Sequence, residues 1–401
     1  MADDWSGLGD LVALTVERFT EPVEGMHLAI ADRWFDLMGP PIDPARNAYL
    51  KSVGAIYNSV RMTGSALGKV LAVGGSVVQR VRPVPRLWDS RVGRGVQAVA
   101  NAVWGDQLAS QASPLALDMS MRDGDGVQIQ PTPDALALAF EVLTPRVVVL
   151  IHGLGETERC WTANPAAEAP LPGLAELLSS AGFTPLLMRY NTGRSVAENG
   201  LDMSDLLEDI CRAWPIAVDE IALVGNSMGG LVARAAVQEG RSAQREWSKV
   251  VRRLVTLGSP HLGAPLAKGA HLASLGLRVA PETRPLSRFL ERRSAGLKDL
   301  RFGSVGGDDL LTRGEAGCQV VPEPEGVTQH FIAGVFTGDP GHPLGTLLGD
   351  LIVRVPSGTG RGRRRRVEAA HVTVIGGRRH FDLARDPVVA EQVRQWLVAQ
   401  E

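Results

Sequence analysis

The chain has 401 residues, and its 42 Lys and Arg nearly balance its 44 Asp and Glu, which leaves a formal net charge of −2 at pH 7. This balance excludes an overall electrostatic field that would draw the chain to nucleic acid or to anionic lipid. Hydrophobic residues make up 44% of the sequence, which suits a globular protein with a sizeable core, and the length allows one large domain plus a smaller one.

The cysteine content and the N-terminus indicate the compartment. Cys160, Cys211 and Cys318 are odd in number and lack paired metal-ligand spacing, so we expect neither a disulfide framework nor a metal site. We interpret them as small buried hydrophobic residues. The first residues are acidic and show no basic segment followed by an apolar core, so no secretory signal is predicted and a cytoplasmic location is expected.

Residues 1–111 are predicted to form a helical region, because apolar residues recur at helical spacing from Glu21 to about Ser110. These helices could form a bundle or pack on the following domain, or they could attach the chain peripherally to a membrane or lipid granule. Arg61 and Lys69 interrupt residues 51–82, which argues against a spanning helix. Gly64 and Gly68 form a small-xxx-small pair that would allow close helix contact. The apolar stripes are Val23, His27, Ile30, Trp34 and Leu37; Tyr49, Val53, Ile56, Val60, Leu67 and Leu71; and Val92, Val96, Val99 and Val103.

Residues 112–401 are predicted to form a domain of alternating strands and helices. Asp123-Gly124-Asp125-Gly126 is a strong hairpin signal between two strands within residues 115–130. Apolar, β-branched strands that alternate with helices predict a mostly parallel sheet with helices on both faces and a site at the carboxyl ends of the strands. The other predicted strands are Leu136–Val142, Val147–Ile151, Pro185–Tyr190, Leu254–Leu257, Val327–Val335 and Ala370–Ile375, and the predicted helices include Leu174–Ala181, Ser204–Trp214 and Pro387–Val398.

A candidate nucleophile lies at Ser227. Gly225-Asn226-Ser227-Met228-Gly229 is placed between the apolar run Ile221–Val224 and a helix-forming stretch, residues 230–239. Gly-x-Ser-x-Gly in this context is typical of a strained strand-to-helix turn that presents a serine hydroxyl at the positive end of the helix. The alternative is a glycine-rich turn with an incidental serine.

Two backbone amides are predicted to bind an oxyanion beside Ser227. One belongs to Met228, the residue after the serine. The other is assigned to Leu154 in the loop His152-Gly153-Leu154-Gly155, because its flanking glycines let its N–H turn toward the site. His152 is interpreted as a structural hydrogen-bonding residue.

Six histidines follow Ser227, and His380 fits a general base best. It lies in the glycine-bearing loop after the strand Ala370–Ile375 and before the last helix, where this kind of site places its histidine. The alternative is a loop histidine that caps the last helix. His371 falls inside the predicted strand and is expected to be a packed or edge side chain. The remaining histidines are His261, His271, His330 and His342.

Two aspartates are candidates for the acid that orients His380. Asp339 follows the strand Val327–Val335 closely, but Thr337-Gly338-Asp339-Pro340 is also typical of an ordinary turn. Asp350 opens an apolar segment that could anchor its loop against the sheet, and we favour it. For either residue the alternative is a turn or cap role.

Two further segments carry open interpretations. Residues 262–310 are predicted to be a lid or cap, with helices at Ala267–Leu277 and Leu286–Leu300 whose leucines suit an acyl-chain pocket; helices that only cover the sheet edge are the alternative. An arginine run between the acid and the base could bind phosphate head groups or acidic polymers, or it could be a solvated, mobile loop. The run comprises Arg361, Arg363, Arg364, Arg365 and Arg366.

These motifs together resemble the α/β-hydrolase superfamily, and within it the bacterial lipase/esterase branch related to the GPI inositol-deacylase-like hydrolases. The resemblance covers roughly the last 290 residues. It implies a serine hydrolase of carboxylic esters, with the acid in an Asp-x-x-Val segment that Asp350 and Val353 match. Asn226 departs from the histidine that many lipases have before the nucleophile. The motifs are Ile151-His152-Gly153, Arg189–Gly193, Gly225–Gly230, Gly258–Pro265 and His380–Leu383.

The expected function is therefore ester hydrolysis through an acyl-enzyme, with Ser227, His380 and Asp350 as nucleophile, base and acid, and no cofactor. The expected substrate is a small-molecule or lipid ester. An acyltransferase that uses the same acyl-enzyme and an inactive scaffold that binds a lipid surface or a partner are the alternatives.

Overall fold

The computed structural model describes residues 4–38, 43–81, 88, 90–163, 171–264, 294–300, 303, 305, 312–313, 319–363 and 365–399. Residues 4–116 form one compact unit, and the described residues of 117–399 form a second. In the first unit, helices α1 (Asp4–Met38), α2 (Asp43–Val81) and α3 (Arg91–Ser110) confirm the helical prediction, although α1 begins well before Glu21.

Helices α1 and α2 approach closely through glycines. A Cβ atom on Gly64 would lie 2.6 Å from Val16, and one on Gly68 would overlap the backbone of Gly9 on α1. The small-xxx-small pair thus lies at a helix–helix contact, as its spacing predicts, because only a residue without a side chain lets two backbones come this near. His27 adds polar contacts, with its ring nitrogens 3.1 Å from the Tyr57 hydroxyl and 2.8 Å from that of Tyr49.

The valine stripe of α3 does not form its buried face. Val92, Val96, Val99 and Val103 are all exposed, between 44% and 76%. Apart from Leu108, the buried residues are small or polar, among them Asn101, whose side-chain amide donates to the carbonyl of Leu115. Apolar periodicity therefore located this helix correctly but does not mark the side that packs. Among the described residues, no helix contains an apolar stretch long enough to cross a bilayer.

The second unit is built on a mostly parallel sheet. Among the described residues, eight strands pair in the order β11-β9-β6-β5-β3-β4-β1-β2, and only β1 runs opposite to the other seven. A smaller sheet pairs β10, β8 and β7. The strands are β1 (Ser120–Arg122), β2 (Gln128–Ile129), β3 (Arg146–Ile151), β4 (Thr184–Arg189), β5 (Glu220–Asn226), β6 (Val251–Leu257), β7 (Thr312–Arg313), β8 (Gln319–Val321), β9 (Thr328–Val335), β10 (Arg365–Val367) and β11 (His371–Gly376).

Helices cover both faces of the main sheet. Along β3, Val147, Val149 and Ile151 join the core with α6 and α7, whereas Val148 and Leu150 join the core with α5 and α11. This alternation follows from the two-residue period of a strand, and continuous apolar runs result because both faces are buried. The helices of this unit are α4 (Pro133–Ala139), α5 (Leu174–Ser180), α6 (Val196–Ala213), α7 (Met228–Ser242), α8 (Ala295–Asp299), α9 (Pro343–Leu348), α10 (Val355–Gly358) and α11 (Pro387–Val398).

One predicted strand is wrong. Residues 136–142 do not form a strand, because helix α4 covers Pro133–Ala139. The Thr132 hydroxyl accepts from the Ala135 amide at 3.4 Å, and Pro133 occupies the first helical turn, which are the signals of a helix start. The hairpin prediction is confirmed by β1 and β2, although both are shorter than expected.

A buried histidine makes the stability of this sheet depend on pH. His330 on β9 stacks on His371 of β11, at a ring separation of 4.9 Å, and also packs against the tilted ring of Trp396 on α11, at 4.7 Å. Neither of its ring nitrogens has a hydrogen-bond partner among the described residues. Burial, together with the smaller effects of His371 and Arg253, lowers the pKa of His330 to about 4. The folded protein thus holds this ring neutral at pH values where an unfolded histidine is protonated.

We expect this histidine to cost stability as the pH falls. An unfolded histidine titrates near pH 6.5, so the unfolded state binds the extra proton first as the pH falls from about 6.5 to about 4. His330→Phe keeps an aromatic ring in the stack and removes the titration. The free energy of unfolding of the wild type, measured by urea titration, should drop relative to the variant by about 2 kcal/mol across this window. Parallel pH profiles of the two proteins would contradict this account.

Candidate functional site

Ser227 lies at a strained turn between β5 and α7. Its φ of 52° and ψ of −117° fall in a region that non-glycine residues rarely adopt. The turn is held by the Ser227 amide, which donates to the carbonyl of Leu257 on β6 at 2.7 Å. A Cβ atom on Gly225 would overlap the backbone of Gly229, and one on Gly229 would overlap the carbonyl of Ile151. The two glycines of the motif are therefore required by backbone contact.

Ser227 and His380 lie within hydrogen-bond distance although 153 residues separate them. The distance from Ser227 Oγ to His380 Nε2 is 2.8 Å, and the other ring nitrogen, Nδ1, lies 2.7 Å from Oδ2 of Asp350. All three side chains are at most 7% exposed. A hydroxyl, an imidazole and a carboxylate in this order can move a proton away from the oxygen, which is the requirement for an activated serine.

The carboxylate of Asp350 is oriented by its own loop. Its Oδ1 accepts from the amides of Ile352 at 3.0 Å and Val353 at 2.7 Å, which leaves Oδ2 for His380. Leu351 adopts a positive φ of 81°, and the buried Val353 side chain anchors the segment. The Asp-x-x-Val spacing thus places the acid and the amide that fixes it within one turn.

The structure brings Asp350, and not Asp339, to His380. Asp339 is exposed and its Oδ1 accepts from the amide of Gly341 at 2.8 Å, as in an ordinary turn. Among the other histidines, His342 accepts from the Leu344 amide at the start of α9, and His261 is fully buried against Phe331. His371 lies on the edge strand β11, as expected, and His271 lies outside the described residues.

The loop after β3 lies beside Ser227. A Cβ atom on Gly153 would be 3.2 Å from the Cβ of Ser227. The amides of Gly153 and Gly155 donate to side chains, Oε2 of Glu156 at 2.8 Å and Oγ1 of Thr192 at 3.3 Å. The Leu154 amide between them has no hydrogen bond within the described residues. Met228 is the first residue of α7, where an amide has no intrahelical acceptor.

His152 has the structural role that its sequence position predicts. Its ring is fully buried and stacks on Tyr190 at 4.6 Å, and its Nδ1 lies 2.9 Å from the carbonyl of Gly153. Burial lowers the pKa of His152, which keeps the ring neutral. Below it, Glu158 and Arg189 form a buried bidentate ion pair that ties this loop to β4.

Comparison with known proteins identifies the fold. Residues 191–328, less than half of the chain, match the family model described as a PGAP1-like alpha/beta domain, and the match includes β5, Ser227 and α7. Together with the parallel sheet and the strained serine at its centre, this match decides the assignment. The chain has an α/β-hydrolase fold.

Solved structures similar to this chain include lipases and esterases. A Bacillus licheniformis lipase in its propeptide form is 20% identical, with a TM-score of 0.44 and coverage of 64% of this chain and 51% of that chain. The chain therefore spans about half the length of that lipase. A Staphylococcus hyicus lipase is 13% identical, with a TM-score of 0.37 and coverage of 64% and 96%. A Pyrococcus furiosus esterase is 16% identical, with a TM-score of 0.36 and coverage of 70% and 88%. No protein of curated function matches significantly.

The described end of the predicted lid lies close to the candidate site. Most of that segment, residues 265–293, lies outside the described residues. Helix α8 follows it, and a Cβ atom on Gly296 would be 2.9 Å from the Met228 side chain. The Gly296 amide also donates to the carbonyl of Gly193 at 3.0 Å. The leucines predicted to line an acyl-chain pocket fall mainly outside the described residues.

The arginine run is not a simple loop. Arg365 and Arg366 belong to strand β10, which pairs in parallel with β8, whereas Arg364 lies outside the described residues. Arg361, Arg363 and Arg366 are exposed. The prediction of a mobile loop is therefore wrong for the described residues of the strand. Of the cysteines, Cys160 is buried, Cys211 is partly buried, and Cys318 lies outside the described residues.

Sequence reasoning placed Gly258 in a motif but missed its role, which is to leave room for the Asp350–His380 pair. Its φ is 58°, and a Cβ atom there would lie 3.2 Å from Asp350 Oδ2, 3.3 Å from His380 Nδ1 and 2.7 Å from Leu383. We expect Gly258→Ala to lower the turnover of ester substrates by about 10- to 100-fold, because shifts of about 1 Å in a reacting group have effects of this size.

A matched control separates backbone strain from this contact. Gly182 has a φ of 88°, but a Cβ atom there would meet nothing within 4 Å. Gly182→Ala should therefore lose stability through its φ alone, by about 1 kcal/mol, while ester turnover stays at the wild-type value. If Gly258→Ala and Gly182→Ala had equal activities and equal melting temperatures, the contact of Gly258 with the Asp350–His380 pair would not matter for turnover.

Proposed function

We propose that this chain is a serine hydrolase of carboxylic esters. The observation that carries the proposal is the continuous chain of hydrogen bonds from Ser227 Oγ through the His380 ring to Asp350, at 2.8 Å and 2.7 Å. Ser227 also lies at the N-terminus of α7, whose positive end favours negative charge near the serine oxygen. These groups come from three separate parts of the chain, which an incidental serine would not explain.

In the proposed reaction, Ser227 Oγ attacks the ester carbonyl while His380 Nε2 takes its proton. Asp350 accepts the hydrogen bond from His380 Nδ1 and so holds the tautomer in which Nε2 is the proton acceptor. The same carboxylate stabilises the imidazolium that forms. His380 then gives the proton to the leaving alcohol, which departs and leaves an acyl group on Ser227.

Negative charge on the former carbonyl oxygen is proposed to be bound by the amides of Leu154 and Met228. Met228 directly follows the serine, and Leu154 follows Gly153, where a Cβ atom would lie 3.2 Å from Ser227 Cβ. Neither amide donates a hydrogen bond within the described residues. Donors that are already oriented stabilise a tetrahedral intermediate without reorganisation. Water activated by His380 then hydrolyses the acyl-enzyme and restores Ser227.

The substrate we propose is an acyl ester of small-molecule or lipid type. Support comes from the chemistry of the site, because acyl transfer to serine needs only the three side chains and two amides already present. Hydrolysis of p-nitrophenyl esters with acyl chains from two to sixteen carbons tests the proposal. Turnover of at least one ester supports it, and adding an alcohol acceptor separates hydrolysis from acyl transfer by the products. No turnover across the series, by folded protein, would overturn it.

A further inference from the structure

Glu156 links the two halves of the site through one carboxylate oxygen. Its Oε2 accepts from the Gly153 amide at 2.8 Å and from the Asn226 side-chain amide at 2.8 Å. Gly153 precedes Leu154, the proposed oxyanion donor of the loop after β3. Asn226 precedes Ser227, whose following residue, Met228, is the other proposed donor. Oε2 of Glu156 therefore links the segment that carries the Leu154 amide to the segment that carries the Met228 amide.

The surroundings of Gly153 leave little freedom for this loop. A Cβ atom on Gly153 would lie 2.8 Å from Glu156 Oε2, 3.2 Å from Ser227 Cβ and 3.4 Å from Asn226 Nδ2. On the other side of Leu154, the Gly155 amide donates to Thr192 Oγ1. The loop is thus attached on both sides of Leu154, and Glu156 is the attachment that also holds the strand carrying the nucleophile.

The contact also decides which amide faces the substrate. Because the Gly153 N–H donates to Glu156, that amide is already engaged, and the Leu154 amide is left as the donor of this loop. The residue before the nucleophile matters for the same reason. Asn226 presents an N–H donor to the carboxylate, and its side chain is 1% exposed, so its amide is committed to this bond.

We propose that Glu156, with Asn226 as its partner, is a positioning residue that sets the spacing of the Leu154 and Met228 amides around the oxyanion. This inference rests on the proposed ester hydrolysis. Glu156 does not touch the substrate; it acts through Gly153. Since both hydrogen bonds end on the same oxygen, one neutral acceptor oxygen at that place is sufficient, and the negative charge itself is not needed.

Steady-state kinetics on a p-nitrophenyl ester test this assignment through the conservative variant. Glu156→Ala removes both hydrogen bonds and should lower kcat by about 10- to 100-fold with little change in KM, because oxyanion contacts act on the transition state. Glu156→Gln retains an oxygen acceptor and should keep kcat within about threefold of the wild type. Asn226→Ala should fall between these two variants, since it removes one bond.

Glu323 provides the matched control. Its Oε1 likewise accepts two hydrogen bonds of 2.8 Å, here both from backbone amides, those of Gln329 and Ala370, but it lies beside the start of β9, away from Ser227. Glu323→Ala therefore removes an equivalent pair of hydrogen bonds and should leave kcat unchanged at a similar loss of melting temperature.

Three outcomes would overturn the role of Glu156: wild-type kcat in Glu156→Ala, an equal loss in Glu156→Gln and Glu156→Ala, or an equal loss in Glu323→Ala. Each of these requires an active wild-type enzyme. If the wild type itself hydrolyses no ester, the proposed function fails and the positioning role fails with it, so the two failures are told apart by the wild-type rate.

Discussion

Ser227→Ala should abolish ester hydrolysis. The substitution removes one oxygen atom, and without it no acyl-enzyme can form, so kcat is expected to fall by about 10⁶-fold to the level of background catalysis. Alanine lacks only the Oγ atom, and the 7% exposed side chain uses that atom to contact His380. We therefore expect the folded structure to tolerate the smaller residue. Initial rates on a short-chain p-nitrophenyl ester, with melting temperature as the check on folding, give the measurement.

Ser259 is the matched control for this variant. It is a fully buried serine near the end of β6, and its Oγ has no hydrogen-bond partner in the described part of the structure. Ser259→Ala should keep the wild-type kcat. A Ser227→Ala protein with more than about 1% of wild-type activity, in a preparation shown to be free of other hydrolases, would remove Ser227 from the mechanism.

Asp350→Asn should be the second most damaging single change. An asparagine at this position can donate a hydrogen bond to His380 Nδ1 and so favours the tautomer in which Nε2 carries the proton and cannot act as a base. Substitution of the acid in such a site lowers kcat by about 10⁴-fold. The amides of Ile352 and Val353 can still donate to the side-chain oxygen, so the loop should be retained.

Asp339→Asn tests the alternative acid under matched conditions. Asp339 is exposed and its carboxylate accepts only a turn hydrogen bond from Gly341 among the contacts seen, so the variant should keep wild-type kcat. If both Asp350→Asn and Asp339→Asn kept the wild-type kcat, neither aspartate would be needed to orient His380. A large loss in Asp339→Asn alone would assign the role to Asp339 and reject the hydrogen bond to Asp350 as the functional one.

The strand-to-helix turn at Ser227 could be predicted from sequence because its requirements are local. A tight turn needs glycine where backbones touch, and these contacts are made within a few residues of the serine or with the adjacent strand. The choice of His380 was possible for a related reason, since the carboxyl ends of parallel strands meet at one edge of the sheet. The two hydrogen bonds that join His380 to Ser227 and Asp350 are visible only in the folded structure, because residue spacing along the sequence does not give distances between side chains.

Other features escaped prediction because they depend on contacts between distant segments. Glu156 belongs to none of the motifs, and the motif that contains Gly258 does not indicate its role, because both positions matter only once β3, β5 and β6 lie side by side. Residues 136–142 were misjudged because their apolar content outweighed the helix-start signal at Thr132 and Pro133. The exposed valines of α3 show a similar limit, since periodicity identifies a helix but does not say which face is covered.

Labelling with a fluorophosphonate, followed by mass spectrometry of the proteolytic peptides, tests the central claim most directly. This reagent reacts with a serine only when a neighbouring base removes its proton, and it leaves a stable phosphonyl group on the oxygen. The expected result is a single adduct, on Ser227, that is absent from Ser227→Ala. An adduct on another residue, or no adduct on folded wild-type protein, would contradict an activated serine at this turn.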